Sequence, residues 1–484
     1  MTTTTFPSPA GRAARVADRF ALPVLLLGSF LATANFFVVN VALPTIGRSL
    51  HANAAALQLV VAAYSVSYAA ALVAGGRLGD RFGRRRMFVT GLVGFAAAGL
   101  ACGLAGNAWT LTAARLVQGA AAGIFVPQVL STIQAGYAGA ARQRALAGFG
   151  ATLGIACVMG QLYGGAAVTL DVAHLTWRLV FLPFAPVALL VAVLAVRLVP
   201  DTSGRPLPLD LRGAALLTIT LVLLLVPLSV GAGAGRPTWA WVALAAAPVA
   251  AYGFWRDQLS RERAGGAPLL PPSLVRLAAF RRGLAVVAVF FVGLGGFLLT
   301  TGISLQEGLG MSPLGAGFAL APYALGFLVA SLTVPRLVGR YAGRVIVAGA
   351  VVLAVGLAAA AVQASVGYDG LTAGALLPAF TVIGFGQGLV MMPVFGVVLA
   401  RVPTDRAGVA SGVLTTTQQA TIAIGVAALG TVFFRVASTG SASGAATGAT
   451  GADWRAATVA VLAAEAALAL LTGMIATRLL RSGD

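Results

Sequence analysis

The apolar residues of this chain come in long blocks rich in Ala, Leu, Val and Gly, separated by short segments where Arg, Asp and Pro collect. A helix needs about 20 mostly apolar residues to cross the hydrocarbon of a bilayer. Fourteen blocks come close to that length or exceed it, at approximately 20–44, 55–75, 86–106, 109–132, 144–168, 177–197, 211–231, 238–255, 283–304, 314–335, 344–364, 371–399, 407–434 and 456–477. The strands of a membrane barrel would instead alternate apolar and polar residues over about ten positions between turns. The blocks show no such alternation, so the pattern predicts an all-α membrane protein with fourteen transmembrane helices.

Composition agrees with that pattern. Of the 484 residues 59% are hydrophobic and only 9% charged, with a mean hydropathy of +0.94. A water-soluble domain carries about 25% charged residues, so an ordinary soluble enzyme and a disordered chain are both excluded. The net charge of +19 comes from 32 basic residues, all of them Arg, against 13 acidic ones. A nucleic-acid partner would require those charges on one groove-facing surface, whereas they sit in short clusters between apolar blocks, and no nucleic-acid binding is expected. With both termini cytoplasmic, 26 arginines fall in the tails and loops on that side and four (Arg48, Arg236, Arg435, Arg455) on the other; Arg115 and Arg178 lie within or at the edge of spans. This bias predicts a multi-pass protein of the inner, plasma membrane with both termini in the cytoplasm, and it requires an even number of spans. Cys102 and Cys157 lie inside apolar blocks, as buried free thiols do. No disulfide framework, metal or cofactor is expected.

Two cytoplasmic segments echo each other. Residues 77–85 read RLGDRFGRR and residues 336–344 read RLVGRYAGR, an R-L-x-x-R-aromatic-x-x-R pattern offset by 259; Arg144-Ala145 and Arg406-Ala407 repeat at an offset of 262. Each offset corresponds to eight helices. A six-helix unit repeated in one orientation, with two helices between the copies, gives that shift and is a plan used by transporters. The predicted division is a cytoplasmic tail at 1–19, a six-helix bundle at 20–200, two linker helices and a loop at 201–282, a second six-helix bundle at 283–477 and a tail at 478–484.

The loop between spans 2 and 3 carries Gly76, Asp80, Arg81, Gly83, Arg84 and Arg85 in the order G-R-L-G-D-R-F-G-R-R. A glycine there permits close helix approach, and Asp80 near a helix N-terminus is favoured by the dipole and by the neighbouring guanidinium groups. The cluster suits a cytoplasmic latch between the two halves. The string resembles the G-x-L-x-D-R-x-G-R-R signature of the major facilitator superfamily, and with fourteen spans the chain resembles its drug:proton antiporters with two additional central helices. Other segments are similar to the same family: NFFVVNVALPTI at 35–46 in span 1, Arg115, Gln118 and Gly119 in span 4, GQLYGG at 160–165 (Gly160, Gln161, Gly164, Gly165) in span 5, Trp177-Arg178 with Phe181 and Pro186, residues 304–317, and GVASG at 408–412. The resemblance implies the major facilitator fold, a small-molecule substrate, protons as coupling ion and action as a monomer. Two positions depart from it: the family has Asp where Asn35 stands and Pro where Gln161 stands. Asn cannot titrate, so a proton route through a first-span carboxylate is absent, and the missing Pro alters a kink in the span-5 interface motif.

Charges inside a span cost several kcal/mol, which makes survivors functional candidates. Two stand clearly within spans, Arg115 and Glu465. The resemblance links the position of Arg115 to proton handling. Glu465 has no motif behind it; it either faces a partner helix or takes the coupling proton in the absence of an acid at 35. The candidate cavity lining combines uncharged polar groups with aromatic and thioether side chains: Asn40, Tyr64, Gln128, Tyr323, Gln387, Met391 and Gln418. The leading expectation is proton-coupled export of small hydrophobic drugs or antibiotics by alternating access. An uncoupled facilitator or importer is the alternative, encouraged by Asn35 and Gln161. A membrane enzyme or sensor is remote: His51 and His174 lie in outer loops without acidic or thiol partners, no loop is long enough for a sensor domain, and no ATP-binding P-loop motif is present.

Overall fold

A computed structural model of the protein describes residues 9–52, 54–170, 172, 175–200, 210–230, 238–266, 268–341, 343–400, 402, 407–438 and 450–481. These residues form α-helices joined by turns and short 3-10 and π segments: α1 (Pro9–Leu50), α2 (Ala54–Phe82), α3 (Arg84–Gly103), α4 (Ala108–Gly136), α5 (Gly139–Leu170), α6 (Phe184–Leu198), α7 (Leu211–Val230), α8 (Thr238–Arg263), α9 (Pro272–Arg276), α10 (Ala278–Ile303), α11 (Pro313–Ala319), α12 (Ala321–Tyr341), α13 (Arg344–Gly367), α14 (Ala373–Leu399), α15 (Ala407–Ser438) and α16 (Gly451–Arg481). A helix occupies each of the fourteen expected positions. Among the described residues eleven helical stretches are long and apolar enough to cross a membrane, and α2, bent by 47° just ahead of Gly75-Gly76, makes a twelfth. The two linker helices fall below that measure: the apolar part of α7 is short, and α8 carries Arg256, Asp257, Arg261, Glu262 and Arg263 in its last two turns. Outward faces carry apolar stripes, such as Val351, Val355, Val362 and Val366 on α13, that water would not favour and lipid does.

The six-helix sets pack in the same way. α1 lies against α4, α5 and α6 as α10 lies against α14, α15 and α16; α2 crosses α4 as α12 crosses α14; α3 meets α4 and α6 as α13 meets α14 and α16. The seam is made by α2 against α15 and by α5 against α12 and α14, a pair of contacts that the repeat exchanges for each other. Lipid gives helices no hydrophobic reason to associate, so close backbone approach has to do it. A Cβ on Gly119 would overlap the Tyr64 carbonyl oxygen, and a Cβ on Gly384 would overlap that of Tyr323. Tyr64 and Tyr323 are 259 residues apart, the offset of the arginine repeat.

Outside the bundles α7 packs on α2 and α15, with Leu221 and Leu225 against Val66, Ala69, Ala420 and Ala423, so it touches both halves. Its cap is Asp210. The Asp210 carboxylate accepts from the Gly213 amide (2.7 Å), the Gln258 side chain (2.9 Å) and the Leu269 amide (3.0 Å), and Arg261 lies 3.3 Å away. Gln258 in turn accepts from the Leu270 amide at 2.9 Å, and Glu262 takes both the amide and the hydroxyl of Ser273. These bonds tie the start of α7, the end of α8 and the approach to α9 into one knot, and Arg77 at the end of α2 donates to the Pro268 carbonyl beside it. Burial pushes the Asp210 carboxyl up, but its hydrogen bonds and Arg261 outweigh burial and hold it below the usual range.

Gly384→Ala should force α14 away from α12 and cost about 1–3 kcal/mol, read as a lower Tm of the detergent-solubilised protein than Ser365→Ala gives at an exposed position. Asp210→Asn should loosen the knot, removing hydrogen bonds to a charged group worth about 1.5–3 kcal/mol each, and trypsin should then cut faster at Arg261, Arg263 and Arg276. A carboxyl group with a depressed value in the folded state stabilises above its ordinary range, near pH 4, and that contribution disappears as pH falls through the depressed value. Acidification below about pH 4 should therefore loosen the wild-type knot and change Asp210→Asn less.

Candidate functional site

Helix α4 starts from a capping box, in which the Asn107 side chain accepts from the Thr110 amide at 2.9 Å. Two turns in, Arg115 and Gln118 share a face at i and i+3. Both are fully buried, as is Asn35 of α1. One guanidinium nitrogen, Nη1, donates to Asn35 Oδ1 at 2.6 Å and to Gln118 Oε1 at 2.8 Å. The Tyr64 ring lies 4.2 Å from the guanidinium carbon and the Phe181 ring 5.7 Å from it. Tyr64 is fixed in turn by its hydroxyl, which donates to the Ala32 carbonyl at 2.9 Å. Arg115 Nε and Nη2, Asn35 Nδ2 and Gln118 Nε2 have no hydrogen-bond partner among the described residues. The structure thus brings together Arg115, Asn35, Gln118 and Tyr64, which the sequence places on three separate helices.

The second polar site lies in the other bundle. Glu465 of α16 is 2% exposed, and neither of its carboxylate oxygens has a hydrogen-bond partner among the described residues. Gln387 of α14 has an unpartnered Nε2, and both side chains line a cavity closed by Phe290, Leu294, Phe297 and Thr472. A separate, apolar cavity opens at the seam. Leu130 of α4 and Leu146 and Phe149 of α5 face Met391, Met392 and Phe395 of α14 across it.

The remaining candidates have more structural surroundings. Gln128 donates to the Gly75 carbonyl (2.8 Å) and to that of Ile124 (2.7 Å), bridging α4 to α2. Tyr323 packs with its ring centre 5.5 Å from that of Phe297, and Gln418 is buried in α15. The side chain of Asn40 lies outside the described residues, as does His174. His51 and Glu307 are exposed. Of the span-5 motif, Gly160 and Gly164 abut Ala34 and Val38 of α1, within the first bundle; Gln161 is half-buried and Gly165 buried. The seam belongs instead to Gly154, where a Cβ would strike the Phe327 ring, and Gly150, where a Cβ would lie 3.1 Å from the Met392 side chain.

In the loop after α2, Gly83 has φ 96°, a left-handed turn that suits glycine and opens α3. Asp80 pairs with Arg84 at 3.4 Å, Arg84 donates to the Ser131 carbonyl at 2.9 Å, and Arg85 reaches the carbonyls of Val196 and Val199 at 3.4 Å. Arg81 lies exposed beside Phe82, and Gly76 has open space around it. These bonds anchor the motif to α4 and α6. Asp210 escaped the sequence reading, although an Asp directly ahead of an apolar helix is a capping signal.

Residues 25–426 match the sequence profile of the Major Facilitator Superfamily. The chain is 36% identical, over 88% of its length and 75% of the relative's, to the probable actinorhodin transporter of Streptomyces coelicolor. It is 31% identical, over 85% of its length and 80% of the relative's, to the multidrug efflux pump LfrA of Mycolicibacterium smegmatis, and 33% identical, over 89% and 88%, to the cephamycin export protein CmcT of Amycolatopsis lactamdurans. Among solved structures the human organic anion transporter MFSD10 shares the fold, with a TM-score of 0.62 over 95% of this chain and 99% of that one at 18% identity. With its repeated six-helix packing and a profile match across most of its length, this chain belongs to the Major Facilitator Superfamily.

Proposed function

We propose that the protein exports a small, mostly apolar molecule by alternating access, unchanged chemically, with the proton gradient as energy source and Glu465 as the group that carries the proton. The observation that supports this most is the unpartnered carboxyl of Glu465 beside the unpartnered Gln387 amide in one cavity. An ionised carboxylate held there without a partner costs several kcal/mol, whereas the protonated acid is neutral. Such a group gains and releases a proton only when motion of the helices lets water reach it. The apolar seam cavity, with two flexible methionines and two aromatic rings, suits a substrate recognised by shape and apolar area. Relatives named as a multidrug efflux pump and a cephamycin export protein support export, and one named as a probable actinorhodin transporter supports a small organic cargo. In this reading the protein acts as a monomer in the plasma membrane with both termini cytoplasmic, and the Asp80–Arg84 loop latches that side. Asn35, at the position where the family resemblance places an acid, favours one rival: an uncoupled facilitator.

Cells expressing the chain should accumulate less of an apolar cationic dye than control cells, and a protonophore should abolish the difference. Glu465→Gln should bring accumulation to the protonophore-treated level while the protein still reaches the membrane. Equal accumulation in wild-type cells with and without protonophore would favour the facilitator, and gradient-driven export surviving in Glu465→Gln would remove that residue from the coupling step.

A further inference from the structure

We propose that Arg115, Asn35 and Gln118 form a binding site for a small monovalent anion, supplied either by inorganic halide or by an acidic group on the transported molecule. The argument starts from what the guanidinium lacks. Arg carries five N–H donors and no acceptor. The two acceptors within reach, Asn35 Oδ1 and Gln118 Oε1, both sit on Nη1, so Nε and Nη2 have nothing to bond. Because both amides turn their oxygens toward the guanidinium, their NH2 ends face away from it, and both of these are also unpartnered. Four nitrogens on three side chains that bond to one another therefore offer donors alone. Donors without acceptors, around a positive charge, match an anion and repel a cation.

The charge count agrees. No carboxylate among the described residues forms an ion pair with Arg115, and the ionisable side chains that act on it most, Cys102 and Tyr64, carry no negative charge as thiol and phenol. The Tyr64 and Phe181 rings offset part of the burial, but such contacts are worth about 2 kcal/mol when desolvated, less than the cost of burying an unpaired charge. Asn35 is the reason for the deficit: a carboxylate at that position, 2.6 Å from Nη1, would balance the cation within the protein. Gly99 stands beside one of the free donors. A Cβ at Gly99 would lie 3.2 Å from Gln118 Nε2, so any other residue there would crowd it. The proposal adds to the export reading and does not need Glu465, and it is tested by equilibrium binding in the absence of transport.

The purified protein in detergent is held at constant ionic strength in sodium gluconate, a bulky and strongly hydrated anion, and gluconate is replaced stepwise by chloride or by benzoate while Tm is followed by intrinsic fluorescence. Wild type should gain stability with the logarithm of the added anion's concentration. Asn35→Asp, which supplies its own counter-charge, should be more stable in gluconate and should lose the response. Gln118→Leu should weaken the apparent affinity about tenfold, the value of one hydrogen bond to an ion, and serves if Asn35→Asp fails to fold. A response to chloride alone assigns the site to inorganic anion, and a response to benzoate assigns it to an acidic group on the cargo. A flat wild-type curve with both anions overturns the proposal, as does a response that persists undiminished in Asn35→Asp or in Gln118→Leu.

Discussion

Everything in this fold depends on helix backbones approaching within van der Waals distance inside a solvent that gives them no hydrophobic push together. Glycine makes that possible at equivalent crossings: Gly119 on Tyr64 and Gly123 on Tyr68 in the first bundle, Gly384 on Tyr323 and Gly388 on Phe327 in the second. Each contact places a main-chain carbonyl against a position where any side chain would intrude, and packing of that density replaces area burial as the source of cohesion. The seam uses glycine more sparingly and against side chains, with Gly154 under the Phe327 ring and Gly150 beside Met392. A bundle locked at many glycine crossings and a seam held at few is the mechanical arrangement that lets the halves move as bodies.

The backbone repeats, but the polar content does not. Gly160 abuts Ala34 as Gly425 abuts Val292, and carrying that correspondence one residue along pairs Asn35 with Gly293. Carrying Gly119 onto Gly384 pairs Arg115 with Phe380. The second bundle has therefore filled the place of the Arg–Asn contact with an aromatic ring and a glycine, and Gly293 borders the cavity that holds Glu465. Two copies of one scaffold have come to hold opposite chemistry: a guanidinium with spare donors in one, a carboxyl with spare acceptors in the other.

Much of this could be read from residue types and spacing. Block length announced the helices, and the offset of 259 between Arg77 and Arg336 is the offset that superposes Tyr64 on Tyr323. Arg115 and Glu465 stood out because charge is expensive in lipid, and both are buried. What spacing cannot give is which side chains meet. Gln118 is near Arg115 on one helix, but Asn35 arrives from 80 residues away, and its family-divergent amide reads as a lost titration site until the short bond to Nη1 is seen. Gln128 looks like a cavity residue in sequence; in the fold its amide serves the Gly75 and Ile124 carbonyls. The linker knot was hidden because its strongest bonds run to backbone amides of Gly213, Leu269 and Leu270, which carry no signature.

The two unpaired groups lie in different bundles, and each lacks what the protein itself does not provide. Glu465 needs a proton to be neutral, and under the anion assignment Arg115 needs an anion. With both filled, the charge of the two side chains and the bound anion sums to zero, and the desolvation cost of carrying them through a rocking motion is low. With one filled and the other empty, a net charge must pass through the low-dielectric interior, which raises the barrier to that motion. Coupling between the sites would then need no direct contact between Arg115 and Glu465: it would follow from the shared requirement that the moving interior stay electrically balanced, with the membrane itself penalising each half-loaded state.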